Sequence, residues 1–191
     1  MMECKKALVE VKGDLEAAEV FLRKAGIASA AKKATRTTKQ GVIGRYIHAG
    51  AQIGVLIEVN CESDFVARTD DFQTLVHDLS MQIAAADPQF VRREEVTEAA
   101  LAKERDIARS RAVSEGKPEK ILDKIVEGRL AKYYEEVCLL EQPFIKENTI
   151  TIAELIKSKI AKLGENISVA RFVRFKVGDT GAAEEVPAEN A

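Results

Sequence analysis

The feature that most narrows what this chain can fold into is a stretch of strict alternation, in which Ile53, Val55, Ile57 and Val59 interleave with Gly54, Leu56, Glu58 and Asn60. A period of two puts the first set on one face of a β-strand. Val42 to His48 precedes it, and Ala49-Gly50-Ala51-Gln52 between the two runs reads as a turn, so the pair forms a hairpin. An apolar face of this kind has to be covered. The next segment supplies Phe72, Leu75, Val76, Leu79 and Ile83 at helical spacing and ends before Pro88. Strands separated by helices of unequal length, with one tight hairpin, predict an α+β fold, an antiparallel sheet covered on one face by helices. Parallel βαβ winding is the alternative.

Upstream, Met1, Cys4, Leu8 and Val11 recur at helical spacing with no cap residue in front of them. Asp14 then caps a second helix whose inner face is Leu15, Ala18, Phe21, Leu22 and Ala25, with Arg23 and Lys24 in its last turn and Gly26 just beyond. Two such helices cannot enclose a core, so this 1–27 unit needs a third helix or a surface to lie on. Residues 28–40 are rich in Ala, Ser, Thr and Lys and read as a linker. No acid occurs between Glu19 and Glu58, whereas Arg23, Lys24, Lys32, Lys33, Arg36, Lys39 and Arg45 do. That basic tract reads either as a solvated linker or as a contact to an acidic partner or RNA.

Downstream, two charged helical patterns at about 97–137, separated by Gly116-Lys117-Pro118, predict an antiparallel helical hairpin inserted in a 41–178 core. Gln89 to Val91 reads as a short strand, and Leu139 to Ile145 as a strand interrupted by Pro143. Thr151-Ile152-Ala153-Glu154 is a capping box opening a helix that stops at Gly164. In the last strand Val169, Arg171, Val173, Phe175 and Val177 alternate with Ala170, Phe172, Arg174 and Lys176, so both faces are mixed. Residues 179–191, small and acidic, read as a disordered tail.

Composition excludes more than it identifies. With 29 Lys and Arg against 31 Asp and Glu, the net charge of −2 gives no general attraction to polyanions. No apolar run approaches the roughly 20 residues of a membrane span, and no signal-peptide pattern opens the chain, which leaves the cytoplasm or an organelle interior, with the cytoplasm expected. Cys4, Cys61 and Cys138 form no C-x-x-C pair and read as reduced, buried thiols. His48 and His77 have no partner at ligand spacing, so no metal is expected. Gly41 and Gly44 lie before and within a strand, not in a phosphate loop, and no nucleophile motif is present. The chain therefore reads as a non-enzyme with no catalytic residues and no cofactor.

Ser63-Asp64-Phe65-Val66, after the second strand, admits two readings. Ser63 or Asp64 can cap a continuous helix in which Phe65 packs inward one heptad before Phe72. Alternatively Thr69-Asp70-Asp71 starts the long helix and leaves Phe65 in an isolated exposed turn.

Taken in order, MMECKKAL, GDLEAAEVFLRKAG, IGVLIEVNCESDFVAR, VEGRLAKYYEEVCLLEQPFI and GENISVARFVRF resemble the elongation factor Ts family over nearly the whole chain, most specifically at IGVLIEVNCESDFV. The resemblance implies an N-terminal ubiquitin-associated-like unit, here incomplete because the family's first helix precedes the motif that opens this chain. It also implies an α+β core with an inserted helical arm, in the family's short form with one core repeat, working as a homodimer. The implied partner is elongation factor Tu, with no membrane and no direct nucleic acid. The implied activity is guanine-nucleotide exchange, in which Asp64 and Phe65, flanked by Ser63 and Val66, disturb the partner's magnesium site. Ser63 stands where the family usually has Thr. An RNA- or ribosome-associated module using the tract 23–45 is the alternative, and a helical-hairpin adaptor is a third.

Overall fold

A computed structural model describes residues 2–179. The order of elements is α1 (Met2–Glu10), α2 (Leu15–Lys33), β1 (Gln40–Ile47), β2 (Ile53–Cys61), α3 (Asp64–Ala67), α4 (Asp70–Ala86), α5 (Glu98–Ser114), α6 (Glu119–Val137), β3 (Pro143–Phe144), β4 (Glu147–Thr151), α7 (Ile152–Leu163) and β5 (Ile167–Lys176). It is a mixed fold of helices and antiparallel sheet. Of the expected tail at 179–191, all but Asp179 lies outside the described residues, as does Met1.

The alternating run forms the central strand. β2 pairs antiparallel with β1 on one side and β5 on the other, giving the order β1-β2-β5. Its apolar residues Val55, Ile57, Val59 and Cys61 are buried, and α4 closes over them with Phe72, Leu75, Val76, Leu79 and Ile83. α4 comes so near β1 that a Cβ at Gly44 would overlap Val76 Cγ1. α7 lies beside α4 and adds Ile152, Leu155, Ile156 and Ile160 to the same core. Burying this face removes most of its apolar surface from water, at about 25 cal/mol per Å².

The mixed faces of the last strand have a mechanical cause. A β-bulge between Arg171 and Val169 leaves Ala170 without a partner, so the inward side switches from Ile167 and Val169 to Phe172 and Arg174. Arg174 then reaches α4's last turn, donating to the Ala84 carbonyl and pairing with Asp87 at 3.2 Å. The opposite face of the sheet carries Ile43, Ile47, Leu56, Val173 and Phe175, all exposed.

The second helix does not stop at Gly26. It continues to Lys33, so the helix occupies the first part of the stretch expected to be a linker. Gly26 is the point where α2 crosses α7: a Cβ there would sit 3.2 Å from Ala161 Cβ. Small residues let the two helices approach, and Ala30 is buried in the core. The expected inner face of α2 is buried only at Ala18, while Leu15 and Phe21 are exposed, because α1 covers too narrow a strip. Cys4, expected to be buried, is exposed on the outer side of α1, whereas Cys61 and Cys138 are buried.

α5 and α6 pack on each other, and a second apolar cluster of Val96, Leu101 and Cys138, separate from the main core, closes the base of the pair. The strand expected at Gln89 to Val91 is only an isolated parallel bridge from Phe90 to Cys138. Leu139–Glu141 is a 3₁₀ turn, not strand, and Pro143–Phe144 pairs with β4, an element with no alternation long enough to signal it. A buried amide network holds this corner: Gln82 donates to Gln142 at 3.1 Å and accepts from the Ile145 N–H at 2.9 Å. The Thr151 capping box and the left-handed Gly164 bound α7 as expected.

Candidate functional site

β2 ends at Cys61 because the next residues turn out of the sheet. The buried Cys61 thiol donates to the Ser63 carbonyl at 3.1 Å. Burial, with Glu165 nearby, pushes this thiol's pKa up, so it is a packed, protonated group and no nucleophile. Ser63 is extended (φ −128°, ψ 155°) and its Oγ accepts from the Val66 N–H at 3.4 Å, capping α3.

α3 is one turn long. Thr69, again extended (φ −71°, ψ 147°), breaks the helical path and caps α4 by accepting from the Phe72 N–H at 3.3 Å. Its hydroxyl also donates back to the Val66 carbonyl at 2.8 Å, and Gln73 donates to the Ala67 carbonyl at 2.6 Å. Both ends of the turn are thus tied to fixed structure. Ala67 is buried and Val66 packs partly against the core, which forces the intervening direction outward.

Phe65 takes that outward direction and is 79% exposed. Of the two readings of this segment, the isolated exposed turn is the one adopted. Asp64 beside it accepts from Arg68 Nη2 at 2.8 Å, an i,i+4 pair with both side chains in solvent. Such a pair is worth at most about 1 kcal/mol, so Asp64 is held loosely and can exchange Arg68 for another donor. The four residues singled out in the sequence therefore divide: Ser63 and Val66 hold the turn, Asp64 and Phe65 face solvent.

Two residues of this site carry no local signal. Glu165, just past α7, accepts from the Glu62 and Ser63 N–H groups at 3.2 and 2.9 Å through one oxygen, and from the Ser63 hydroxyl at 2.6 Å through the other. Asn166 donates its N–H to Glu62 Oε1 at 2.6 Å and its side-chain amide to the carbonyls of Ala34 and Arg36 at 3.3 and 2.8 Å. Only the pairing of Cys61 with Ile167 across β2 and β5 brings these segments together.

The basic tract 23–45 is spread over the end of α2, the connection after it and β1, and its Arg36 lies 3.5 Å from Glu62. Among the described residues no cluster of three or more His, Cys, Asp or Glu could hold a metal ion, and no helix is long and apolar enough to cross a membrane.

The family model for elongation factor TS matches residues 24–179. The chain is 70% identical to elongation factor Ts of Solibacter usitatus, over 98% of this chain and 90% of that protein. It is 64% identical to that of Koribacter versatilis (95% and 83%) and 58% to that of Heliobacterium modesticaldum (94% and 83%). With the α+β core in place and the Ser63 to Val66 turn projecting from it, these likenesses show that the chain belongs to the elongation factor Ts family.

Proposed function

We propose that this protein is a cytoplasmic translation elongation factor that releases guanine nucleotide from elongation factor Tu and performs no bond chemistry of its own. The observation that carries this reading is the exposure of Phe65 on a turn capped at both ends. A large apolar ring presented in water by a fixed turn needs little backbone ordering on insertion and gains about 1.5–3 kcal/mol by burial. Inserted near the partner's nucleotide, Phe65 acts as a wedge and Asp64 competes for the groups around the magnesium ion. Magnesium bridges the phosphates and neutralises their charge, so disturbing it lowers nucleotide affinity. Linkage makes the effect reciprocal: nucleotide rebinding weakens the factor's grip by the same factor, which frees it for another cycle.

Docking falls to the N-terminal unit, residues 1–27, whose α1 and α2 expose Met2, Val9, Leu15, Val20 and Phe21. Of these, Met2, Val9 and Phe21 lie together as an apolar surface open to solvent. The factor works as a homodimer, for which the open sheet face with Ile43, Leu56, Val173 and Phe175 is the matching surface. Neither membrane nor nucleic acid takes part.

The deciding experiment is release of fluorescent GDP from elongation factor Tu. The wild-type protein accelerates release and Phe65→Ala slows it by about tenfold or more at saturating factor. Release that is indifferent to the folded wild-type protein would overturn the reading. Steep, salt-dependent RNA binding by the tract 23–45 would replace it.

A further inference from the structure

We propose that Glu165 is a positioning residue for exchange, the joint that holds the Asp64–Phe65 turn in register with the N-terminal helices. The proposal rests on the exchange reading above and extends it to a residue that never faces the partner's nucleotide.

The chain of contacts is continuous. α2 packs on α7 at the close approach of Gly26 to Ala161. α7 is pinned to α4 by Asp71, which pairs with Lys159 and Lys162 at 3.0 and 2.7 Å. At the end of α7, Gly164 takes the left-handed conformation (φ 82°) and turns the backbone so that Glu165 faces the 62–63 loop. The Glu165 carboxylate then satisfies two backbone donors and one hydroxyl of the turn that carries Asp64 and Phe65. The next residue, Asn166, grips the Ala34 and Arg36 carbonyls where α2 ends. Two adjacent residues thus hold the turn on one side and the end of the docking unit on the other.

Three charge-assisted bonds to one carboxylate are stronger than neutral ones and fix direction as well as distance. Thr69 and Gln73 act at the far end of the turn; at the near end the Cys61 thiol holds only the Ser63 carbonyl and Asn166 only the Glu62 side chain, so the two N–H groups depend on Glu165. Without Glu165, the Glu62 and Ser63 N–H groups lose their acceptor and Ser63 can rotate. The turn remains folded but its angle to α7 is no longer set. An intruding pair loses effect steeply with small displacements, because only aligned contacts act on the nucleotide site.

The test measures GDP release over a range of factor concentrations for wild type, Glu165→Ala, Glu165→Gln and Phe65→Ala. Glu165→Ala is expected to lower the saturating release rate about tenfold with its half-saturating concentration within about twofold of wild type. Glu165→Gln keeps an acceptor for the two N–H groups and a polar atom for Ser63, and restores the rate. Hydrogen exchange at the Glu62 and Ser63 amides accelerates in Glu165→Ala only. Should Glu165→Ala fold poorly, Glu165→Asp, which draws the carboxylate back by one methylene and leaves the Ser63 cap on the Val66 N–H in place, gives a smaller loss of the same kind. A slow Phe65→Ala beside a fully active, folded Glu165→Ala overturns this proposal and leaves the exchange reading standing. A fully active Phe65→Ala overturns that reading itself, and a Glu165→Ala that loses affinity with an unchanged saturating rate shows a docking role instead.

Discussion

Phe65 and Phe72 lie one heptad apart, yet Phe72 is fully buried and Phe65 is 79% exposed. The extended Thr69 between them restarts the helix on a new axis, so their side chains no longer share a face. One ring anchors α4 to the sheet while the other is left for a partner.

Truncating the two rings therefore separates stability from function. Phe72→Ala opens a core cavity and is expected to cost about 3–5 kcal/mol in denaturant unfolding. Phe65→Ala, at an exposed position, stays within about 0.5 kcal/mol of wild type while its exchange activity falls.

Gly44 tests how tightly α4 is seated. A methyl group there would overlap Val76 Cγ1 and press on Ile57 and Ser80. Gly44→Ala is expected to destabilise the fold by about 1–3 kcal/mol, read as a lower denaturation midpoint.

Acid sensitivity should pass through Asp71. Hydrogen bonds from Lys162 and then Lys159 hold its carboxyl below the usual carboxylate range. A depressed folded-state value means that this contribution is complete above the unfolded value near about 4 and disappears as pH falls through the folded one. Asp71→Asn should thus melt lower than wild type at neutral pH, and the gap should close in melts below about pH 4. A gap that persists unchanged there would contradict the assignment.

Thiol titration distinguishes the three cysteines. Cys4 is exposed, whereas burial raises the pKa of Cys61 and pushes that of Cys138 up to about 11. A disulfide reagent at neutral pH should react promptly with one thiol in the native protein and with all three in guanidinium.

The open sheet face makes the proposed homodimer testable. Val173→Glu puts a charge beside Leu56 on that face and should leave a monomer where the wild type sediments as the proposed dimer, without changing the circular dichroism. An unaltered dimer would place the contact elsewhere.

Residues acting on their neighbours were legible in the sequence. The β1–β2 hairpin, the buried face of α4, the Thr151 box and the Gly164 stop all follow from side chains within a few positions of one another. Gly26 misled because a glycine at a helix end and a glycine at a helix crossing look alike until the crossing helix is in place. The mixed pattern of the last strand likewise concealed a bulge at Ala170, since alternation carries no mark of one unpaired residue.

By itself, then, the sequence determined the β1–β2 hairpin, the buried face of α4 and the bounds of α7, because caps and periodicity are short-range physics, and it left Ser63, Asp64, Phe65 and Val66 with two readings. Tertiary structure alone decided that Phe65 faces water and that Glu165 grips Ser63. Exposure depends on what the rest of the chain covers, and a contact across 102 positions exists only once β5 has paired with β2.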